Sequence, residues 1–337
     1  MYESGFRQRE TTNKFVSLTL LRLYNTVSVF SIEVFCTFAG KTGRMILIAD
    51  SGSTKTDWII WTGDEGSDKV ISTQGINPFH QSVDEIELIV RNEVLPLLVS
   101  VLDCIDAANL IKSVAFYGAG CTESVSPKMQ DCLSGIFAEA NIEVAGDLLG
   151  AARALCGNNP GIACILGTGS NSCFYDGEKI VENVPPLGYI LGDEGSGAAL
   201  GKLFINGIFK GDLPTHIREL YLNEENITYA EIIEKVYRKP LANRFLASTS
   251  KFVYKHLDLP ELASLVQHNF DSFFKHNVCK YARYGVKEVS AIGSIAYYFR
   301  NAFEVAAAKY GFVVNKVEQS PIHGMLAYHK NRQQQMY

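Results

Sequence analysis

Short runs of apolar residues alternate along this chain with longer segments whose apolar positions recur at helical spacing. From Met45 onward, three β-rich runs separated by Gly-, Ser- and Asp-containing turns predict an antiparallel meander. Helical and strand patterns then alternate, so the predicted order of this half is βββαβαβα. The three meander strands are expected at Met45–Ala49, Asp57–Trp61 and Val70–Ser72.

The same order of patterns returns in the second half of the chain. Strands are expected at 162–166, 171–175 and 179–183, and a helical insertion precedes a closing strand, helix, strand and helix. We therefore expect an α/β protein of two duplicated lobes, each with a mixed sheet, facing each other across a cleft. The predicted domains are an N-terminal lobe over residues 45–158 and a C-terminal lobe over residues 159–333, the latter with a helical insertion at 208–286.

The first 44 residues differ from the rest, because Phe15 to Phe38 is apolar yet carries Arg22 and Glu33. A spanning helix needs about 20 predominantly apolar residues, and a charge buried there is costly. No small-x-small cleavage site follows the apolar stretch, as a secretory signal would require. We interpret residues 1–44 either as a disordered extension or as upstream sequence before a true start at Met45.

Composition narrows the class of partner. The chain has 337 residues, of which 47% are hydrophobic and 20% charged, and its formal net charge is -5. Such a chain carries no basic field for a nucleic acid or an anionic membrane, so a small-molecule partner is favoured. Its eight cysteines include no CxxC pair, and several lie inside apolar runs, which is typical of free thiols in a reducing compartment, here the cytoplasm. The sequence leaves open whether the chain forms a homodimer.

The first hairpin turn is dense in small and hydroxyl-bearing residues directly after an apolar strand. Its backbone amides can form an anion-binding nest for a triphosphate, while Asp50 at the strand end is suited to hold Mg²⁺ through water. A polar β-turn without a ligand is the alternative. The candidate nucleotide-binding residues of this turn are Gly52, Ser53, Thr54, Lys55 and Thr56.

The corresponding turn of the second meander again holds two glycines and two hydroxyls between apolar strands. Two such turns at equivalent places in duplicated lobes are able to grip β- and γ-phosphates from both sides of a cleft. The candidate residues are Gly167, Thr168, Gly169 and Ser170, followed by Asn171.

Asp50 to Asp57 resembles the first phosphate motif of the actin, hexokinase and heat-shock ATPase superfamily, and Gly167 to Asn171 resembles its second. With the string from Gly188 to Gly197, which reads GYILGDEGSG, the chain is similar to the N-acetylglucosamine kinases and the BadF/BcrA-type ATPases from Met45 to the C-terminal helix. The resemblance implies an actin-like ATPase fold of two ribonuclease H-like lobes that binds ATP and Mg²⁺.

The resemblance also implies roles for individual residues. Gly293 and Ser294 take the place of the adenosine-binding loop, where Gly-Ser before a helix permits close approach of the backbone. The sugar-binding candidates are Asn77, Asn171, Asp193 and Glu194. Carboxylates suit sugars, since each accepts hydrogen bonds from neighbouring hydroxyls, although Asp193 and Glu194 also fit a helix N-terminus.

The general base is the point where the resemblance fails. The family pattern leads us to expect an aspartate after the strand that begins near Ala115, but this chain has Cys121 there. A thiol needs a lowered pKa to act as a base, and a nearby triphosphate would raise it. Asp147 at the next strand-to-helix junction is a candidate base or an N-cap, and Glu123 is a weaker candidate.

Three functions follow from these motifs. The first is phosphorylation of an amino sugar by ATP, with the 6-hydroxyl of N-acetylglucosamine as the favoured acceptor. The second is a BadF/BcrA-type ATPase that drives another process, for which iron–sulfur ligands should lie in exposed loops. Cys164 and Cys173 fall within apparent strands, which disfavours it. The third is a non-catalytic sugar or nucleotide sensor.

Overall fold

A computed structural model of the chain describes residues 45–52, 54–64 and 66–335; the predicted extension, residues 1–44, lies outside them. The strands of the first lobe are β1 (Ile46–Ser51), β2 (Lys55–Trp61), β3 (Lys69–Gln74), β4 (Ser113–Gly118) and β5 (Asn141–Gly146). They form one sheet in the order β3-β2-β1-β4-β5. The meander pairs are antiparallel, whereas β4 runs parallel to β1 and β5 parallel to β4.

The helices of the first lobe follow the predicted pattern with one interruption. They are α1 (Val83–Ile89), α2 (Leu95–Leu102), α3 (Ala107–Leu110), α4 (Ser126–Ile136) and α5 (Asp147–Cys156). The helical spacing of the sequence predicts one helix from Val83 to about Ser100, but the structure divides it by a π-helical segment, Val90–Val94, after which the N–H of Leu95 donates to the carbonyl of Val90. Pro96 follows directly, and because proline has no N–H, it cannot make the next α-helical bond.

The strands of the second lobe repeat the first. They are β6 (Gly161–Leu166), β7 (Ser170–Tyr175), β8 (Ile180–Asn183), β9 (Glu288–Ile292) and β10 (Val313–Glu318). Their order is β10-β9-β6-β7-β8, with antiparallel meander pairs and parallel pairs from β6 to β9 and from β9 to β10. Read from the meander edge, this is the order of the first sheet, so the predicted duplication is confirmed.

The helices of the second lobe include a long run between β8 and β9. They are α6 (Gly188–Leu191), α7 (Gly197–Lys210), α8 (Thr215–Glu224), α9 (Tyr229–Tyr237), α10 (Ala242–Ser248), α11 (Ser250–Lys255), α12 (Pro260–His276), a 3-10 segment (Val278–Tyr284), α13 (Ser294–Tyr298), α14 (Arg300–Lys309) and α15 (Ile322–Gln335). The helical spacing from Glu261 to about Tyr284 predicts one long helix, and the structure has α12 followed by the 3-10 segment there. In the described part of the chain, no helix has the length and apolar character needed to cross a bilayer.

Both faces of each central strand are buried. Along β1, Leu47 and Ala49 pack in the first lobe's own core, while Ile46 and Ile48 belong to a separate cluster that also contains residues of the second sheet. This period-two alternation places one face of each sheet against the helices between the lobes.

The helices between the lobes are α5 and α15, which cross at close range. A Cβ built on Gly150 of α5 would lie 2.4 Å from the methyl carbon of Met325, and one on Gly324 would lie 2.7 Å from the carbonyl oxygen of Ala154. Gly324 therefore lets the backbones of the two helices approach closely, while Gly150 leaves room for the side chain of Met325. Since α5 begins where β5 ends, this contact fixes the edge at which the functional residues of both sheets meet.

Candidate functional site

A cavity of about 780 Å³ lies between the two lobes. Both predicted phosphate turns open onto it, as do the start of α5 and the turn after β9. Its walls are formed by Asp50, Ser51, Gly52, Thr54, Lys55, Asp57, Asp147, Ala151, Ile165, Gly167, Thr168, Gly169, Asn243, Arg244, Ile292, Gly293, Ser294, Gln319, Ser320 and Pro321. The duplicated topology thus brings together motifs that are more than a hundred residues apart in sequence.

The first turn presents Gly52, Thr54 and Lys55 to the cavity. The N–H of Gly52 donates to the carbonyl of Lys55 at 3.0 Å, which closes the turn between β1 and β2. Lys55 Nζ lies 2.7 Å from a carboxylate oxygen of Asp57, and its side chain is 66% exposed. Ser53, the remaining small residue of this turn, lies outside the described residues.

Thr56 differs from the prediction. Its side chain was expected among the nucleotide-binding hydroxyls, but it is fully buried inside the lobe. Its hydroxyl lies 2.6 Å from the hydroxyl of Ser51 and accepts a hydrogen bond from the N–H of Ile76 at 3.2 Å. The reason is strand parity: Thr56 shares the inward face of β2 with Trp58, whereas Lys55 faces outward.

The second turn is held by the helix that follows it. The N–H of Gly167 donates to the carbonyl of Gly169 at 3.0 Å within the turn. At the start of α7, the N–H groups of Gly197 and Ala198 donate to the carbonyls of Gly167 and Thr168 at 2.8 and 3.0 Å. Because these carbonyls are satisfied from behind, the turn has a fixed shape in the cavity wall.

Asp193 supports the same turn. Its carboxylate lies over Gly169, where an added Cβ would be 3.0 Å from Oδ2, and it accepts a hydrogen bond from the N–H of Ser170. Burial raises the pKa of Asp193, while that hydrogen bond lowers it. Ser170 itself is buried in β7 and reaches the site through this backbone contact.

The other sugar-binding candidates lie in three different places. The side-chain oxygen of Asn77 lies against Gly120, where a Cβ would approach it to 2.2 Å, so Asn77 is next to the turn that carries Cys121. Asn171 accepts a hydrogen bond from the amide of Asn183 at 2.8 Å, which ties β7 to β8. Glu194 faces a separate pocket of about 320 Å³ on the outer side of α7. The structure therefore does not gather the four candidates around one described cavity.

Gly293 can only be glycine. Its φ is 118°, and an added Cβ would lie 2.3 Å from the carbonyl oxygen of Leu166, at the end of β6. The close approach joins the turn after β9 to the second phosphate turn. Ser294 lines both the main cavity and an adjoining one of about 450 Å³.

Asp50 and Asp147 are recessed carboxylates on the same cavity wall. Burial, together with the charges of Asp147 and Asp57, raises the pKa of Asp50 to about 7, and Lys55 partly offsets this. Burial also raises the pKa of Asp147, whose Oδ1 accepts a hydrogen bond from the N–H of Leu148 at 2.8 Å. Mutually repelling carboxylates in a cleft are a common arrangement at functional sites.

Cys121 is part of the first lobe's core and does not line the main cavity. Burial and the charge of Asp147 raise the pKa of its thiol to about 12. The thiol therefore stays protonated near neutrality and cannot accept a proton from a hydroxyl. Glu123, the weaker candidate, is exposed.

Several cavity residues were not predicted from the sequence. Asn243 and Arg244 come from α10 in the helical insertion, and Gln319 and Ser320 come from the segment after β10. Asn243 and Arg244 have no glycine-rich signal of their own. A signal for their helix lies elsewhere, in two glycines four residues apart, Gly197 and Gly201 on α7, since such spacing permits a second helix to approach closely.

A close relative supports the fold and shows the family. The solved structure described as the "putative N-acetylglucosamine kinase" of Porphyromonas gingivalis is 50% identical, covers 86% of this chain and 100% of its own, and superposes with a TM-score of 0.80. The chain belongs to the N-acetylglucosamine kinase family. Neither a scan of protein-family models nor a search of curated proteins gives a match.

More distant solved structures show the same fold. A protein described as a putative N-acetylglucosamine kinase of Chromobacterium violaceum is 17% identical over 85% of this chain and 99% of its own, with a TM-score of 0.64. A ROK family glucokinase of Streptomyces griseus, solved with glucose and AMPPNP, is 14% identical over 86% of this chain and all of its own, with a TM-score of 0.52. The expected actin-like ATPase fold is therefore confirmed.

Proposed function

We propose that this member of the family transfers the γ-phosphate of ATP to a hydroxyl of an amino sugar, with the 6-hydroxyl of N-acetylglucosamine as the first candidate. The observation that carries the proposal is the meeting of Asp147 and both phosphate turns at one interlobe cavity. The name of the Porphyromonas gingivalis relative supports the choice of sugar.

In this proposal, the two turns hold the triphosphate from opposite lobes. Gly52 and Thr54 lie on one side and Gly167, Thr168 and Gly169 on the other. Backbone amides in short glycine-containing turns approach phosphate oxygens closely, and a preformed turn needs little conformational change on binding. Approach of the lobes around the substrates would exclude water and limit futile hydrolysis of ATP.

Mg²⁺ fits the residues present. Asp50 is a recessed carboxylate beside the negative charges of Asp147 and Asp57, an arrangement that a cation would stabilise, and Mg²⁺ in kinases commonly uses one or two carboxylates together with phosphate oxygens. Such a site needs only one or two protein carboxylates. It therefore does not require a group of three or more His, Cys, Asp or Glu, and the described residues contain no such group placed to hold a metal. Asp50 would hold the ion through water, and the bound ion would neutralise charge on the transferred phosphate.

Asp147 is the proposed general base. It accepts the proton of the sugar hydroxyl as that oxygen bonds to the γ-phosphorus and the bond to ADP breaks. Its raised pKa makes it a stronger base than an exposed aspartate. Cys121, which the family pattern places at the base position, has a pKa raised to about 12, so its thiol is protonated near neutrality and has no deprotonated form to accept the sugar proton.

Sugar recognition is proposed for Asn77 and Asp193, with Asn171 and Glu194 in supporting positions. Asn77 lies beside the Gly120 turn of the first lobe, and Asp193 lies over Gly169 of the second. A sugar between these two turns would contact both lobes. Asp193 would then link sugar binding to the shape of the phosphate turn.

The direct test is ADP production by protein starting at Met45, with MgATP and a panel of N-acetylglucosamine, glucosamine, N-acetylmannosamine, N-acetylmuramic acid, glucose and no sugar. We expect turnover only with an amino sugar. Hydrolysis that is equal with and without sugar would instead support an energy-coupling ATPase, and tight binding without turnover would support a sensor.

The ATPase alternative has less support from the cysteines. Cys164 and Cys173 are fully buried in β6 and β7, and burial raises the pKa of both thiols. Neither lies in an exposed loop, where a cluster shared by two subunits would need its ligands. All seven cysteines that the structure describes are free, which supports the proposed location in a reducing cytoplasm.

A further inference from the structure

Arg244 stands where two cavities meet. The main cavity contains both phosphate turns, and the adjoining cavity of about 450 Å³ extends from it between α10, α11 and α13. Four residues line both: Gly167, Thr168, Arg244 and Ser294. A nucleotide with its phosphates at the turns and its nucleoside in the adjoining cavity would pass Arg244 at the phosphates nearest the ribose.

The position of Arg244 is fixed by a close helix contact. A Cβ on Gly201 of α7 would lie 2.1 Å from the carbonyl oxygen of Leu246, and one on Gly197 would lie 3.0 Å from Cβ of Ala247. Leu246 and Ala247 follow Arg244 by two and three residues on α10. Because no side chain separates the helices, α10 has little freedom to slide along α7.

The same helix α7 holds the second phosphate turn. Gly197 therefore has two roles: its N–H donates to the carbonyl of Gly167 at 2.8 Å, and its missing side chain admits α10. The turn, the start of α7 and the part of α10 that carries Arg244 form one continuous packed unit. Such packing is the support that a preorganised phosphate site needs.

The charged residues of the main cavity also favour a role for Arg244. Its walls carry the carboxylates of Asp50, Asp57 and Asp147, and a triphosphate would add further negative charge. The cationic residues among the wall residues are Lys55, from the first lobe, and Arg244, from the second. Lys55 forms an ion pair with Asp57 within the first lobe, and Arg244 is the cationic wall residue on the side of the second turn.

We propose that Arg244 is a phosphate-binding residue that contacts the α- and β-phosphates of the nucleotide from the helical insertion. The proposal rests on the proposed function, since it requires an adenine nucleotide in this cavity. A guanidinium is suited to this contact because its planar fork donates two parallel hydrogen bonds to phosphate oxygens. The insertion would thereby complete the phosphate site that the two turns begin.

The test is calorimetric binding of adenosine, AMP, ADP and AMPPNP, with Mg²⁺ present, to the wild type and to Arg244→Gln and Arg244→Lys. For Arg244→Gln we expect ADP and AMPPNP to bind about 10- to 100-fold more weakly, the range expected for lost hydrogen bonds to a charged group, with adenosine unchanged. Arg244→Lys should keep part of the affinity. The matched control is Arg238→Gln, an exposed arginine at the end of α9 in the same insertion, which should bind all four like the wild type.

Two results would overturn the assignment. Unchanged ADP affinity in both Arg244 variants would mean that Arg244 makes no phosphate contact. An equal loss of affinity for adenosine and ADP would assign Arg244 to nucleoside binding or to the shape of the cavity. If Arg244→Gln is unfolded, the affinities of Arg244→Lys decide between these outcomes. A wild type that binds none of these ligands would instead remove the proposed function itself, and the phosphate role of Arg244 with it.

Discussion

The hydroxyl of Tyr117 lies 2.7 Å from Nε2 of His329, and this contact joins β4 of the first lobe to the C-terminal helix α15. The same hydroxyl accepts a hydrogen bond from Arg153 of α5 at 2.7 Å, so its own proton is directed to the histidine. His329 is therefore neutral and accepts at Nε2. Burial and the nearby charges of Arg153 and Arg332 lower its pKa to about 4.

This contact predicts a loss of stability in acid. The unfolded chain binds a proton at His329 below about pH 6.5, whereas the folded chain binds it only near pH 4. The contribution of His329 to stability is thus nearly complete at pH 7 and falls as the pH drops through this window, by about 2 kcal/mol between pH 7 and pH 5. His329→Gln, which keeps an acceptor for Tyr117, should lose correspondingly less stability over that interval. Denaturant unfolding at both pH values measures the difference.

The control for this prediction is His323→Gln. His323 lies on the same helix, but its side chain is 69% exposed. The control should keep the acid sensitivity of the wild type. If His329→Gln and the wild type lose the same stability between pH 7 and pH 5, the buried histidine is not the source of the effect.

A second prediction separates the two candidate bases. Asp147→Asn should lower kcat by about 10²- to 10⁴-fold, the usual contribution of a general base, while KM for ATP stays near the wild-type value. Cys121→Ala should keep kcat within a few-fold, because the thiol is protonated and faces the core. Steady-state kinetics with the best sugar of the panel checks both variants. The reverse order of losses would return Cys121 to the catalytic position.

A third prediction concerns Asp193, which contacts the phosphate turn as well as the proposed sugar site. Asp193→Asn should raise KM for the sugar and also KM for ATP, because the carboxylate accepts the N–H of Ser170 and packs on Gly169. Glu194→Gln is the matched control, since Glu194 faces a different pocket and should affect ATP little. A rise in sugar KM alone would limit Asp193 to sugar binding.

Much of the fold, and the two turns that line the main cavity, could be predicted because the signals are local. Strand periodicity and turn residues lie within single short segments, and they predicted both meanders, the duplicated order and the two phosphate turns. The inward position of Thr56 was also encoded, since it shares its parity with the buried Trp58, but the density of hydroxyls around it favoured a ligand. At Thr56, the period-two pattern of the strand predicts the direction of the side chain better than the nearby hydroxyls do.

The rest of the site depended on long-range packing. Only the chain's path after Gly118 decides that Cys121 turns into the core, while Asp147 lines the cavity. Arg244 enters the site because α10 packs on α7. No motif around Arg244 itself marks such a contact.

The last prediction concerns the glycine that joins the two halves of the nucleotide site. Gly293→Ala should lower the free energy of unfolding by about 2 to 4 kcal/mol, since it adds an unfavourable φ to a clash with the carbonyl of Leu166. Gly311→Ala is the matched control: its φ is 81°, but nothing lies within 4 Å of an added Cβ, so it should cost only about 1 kcal/mol. The clash moves Leu166 and with it the second phosphate turn, so Gly293→Ala should also weaken ADP binding, whereas Gly311→Ala should not. Denaturant unfolding and calorimetry measure the two effects, and equal losses of stability in both variants would show that the backbone angle alone, rather than the close approach, requires glycine at position 293.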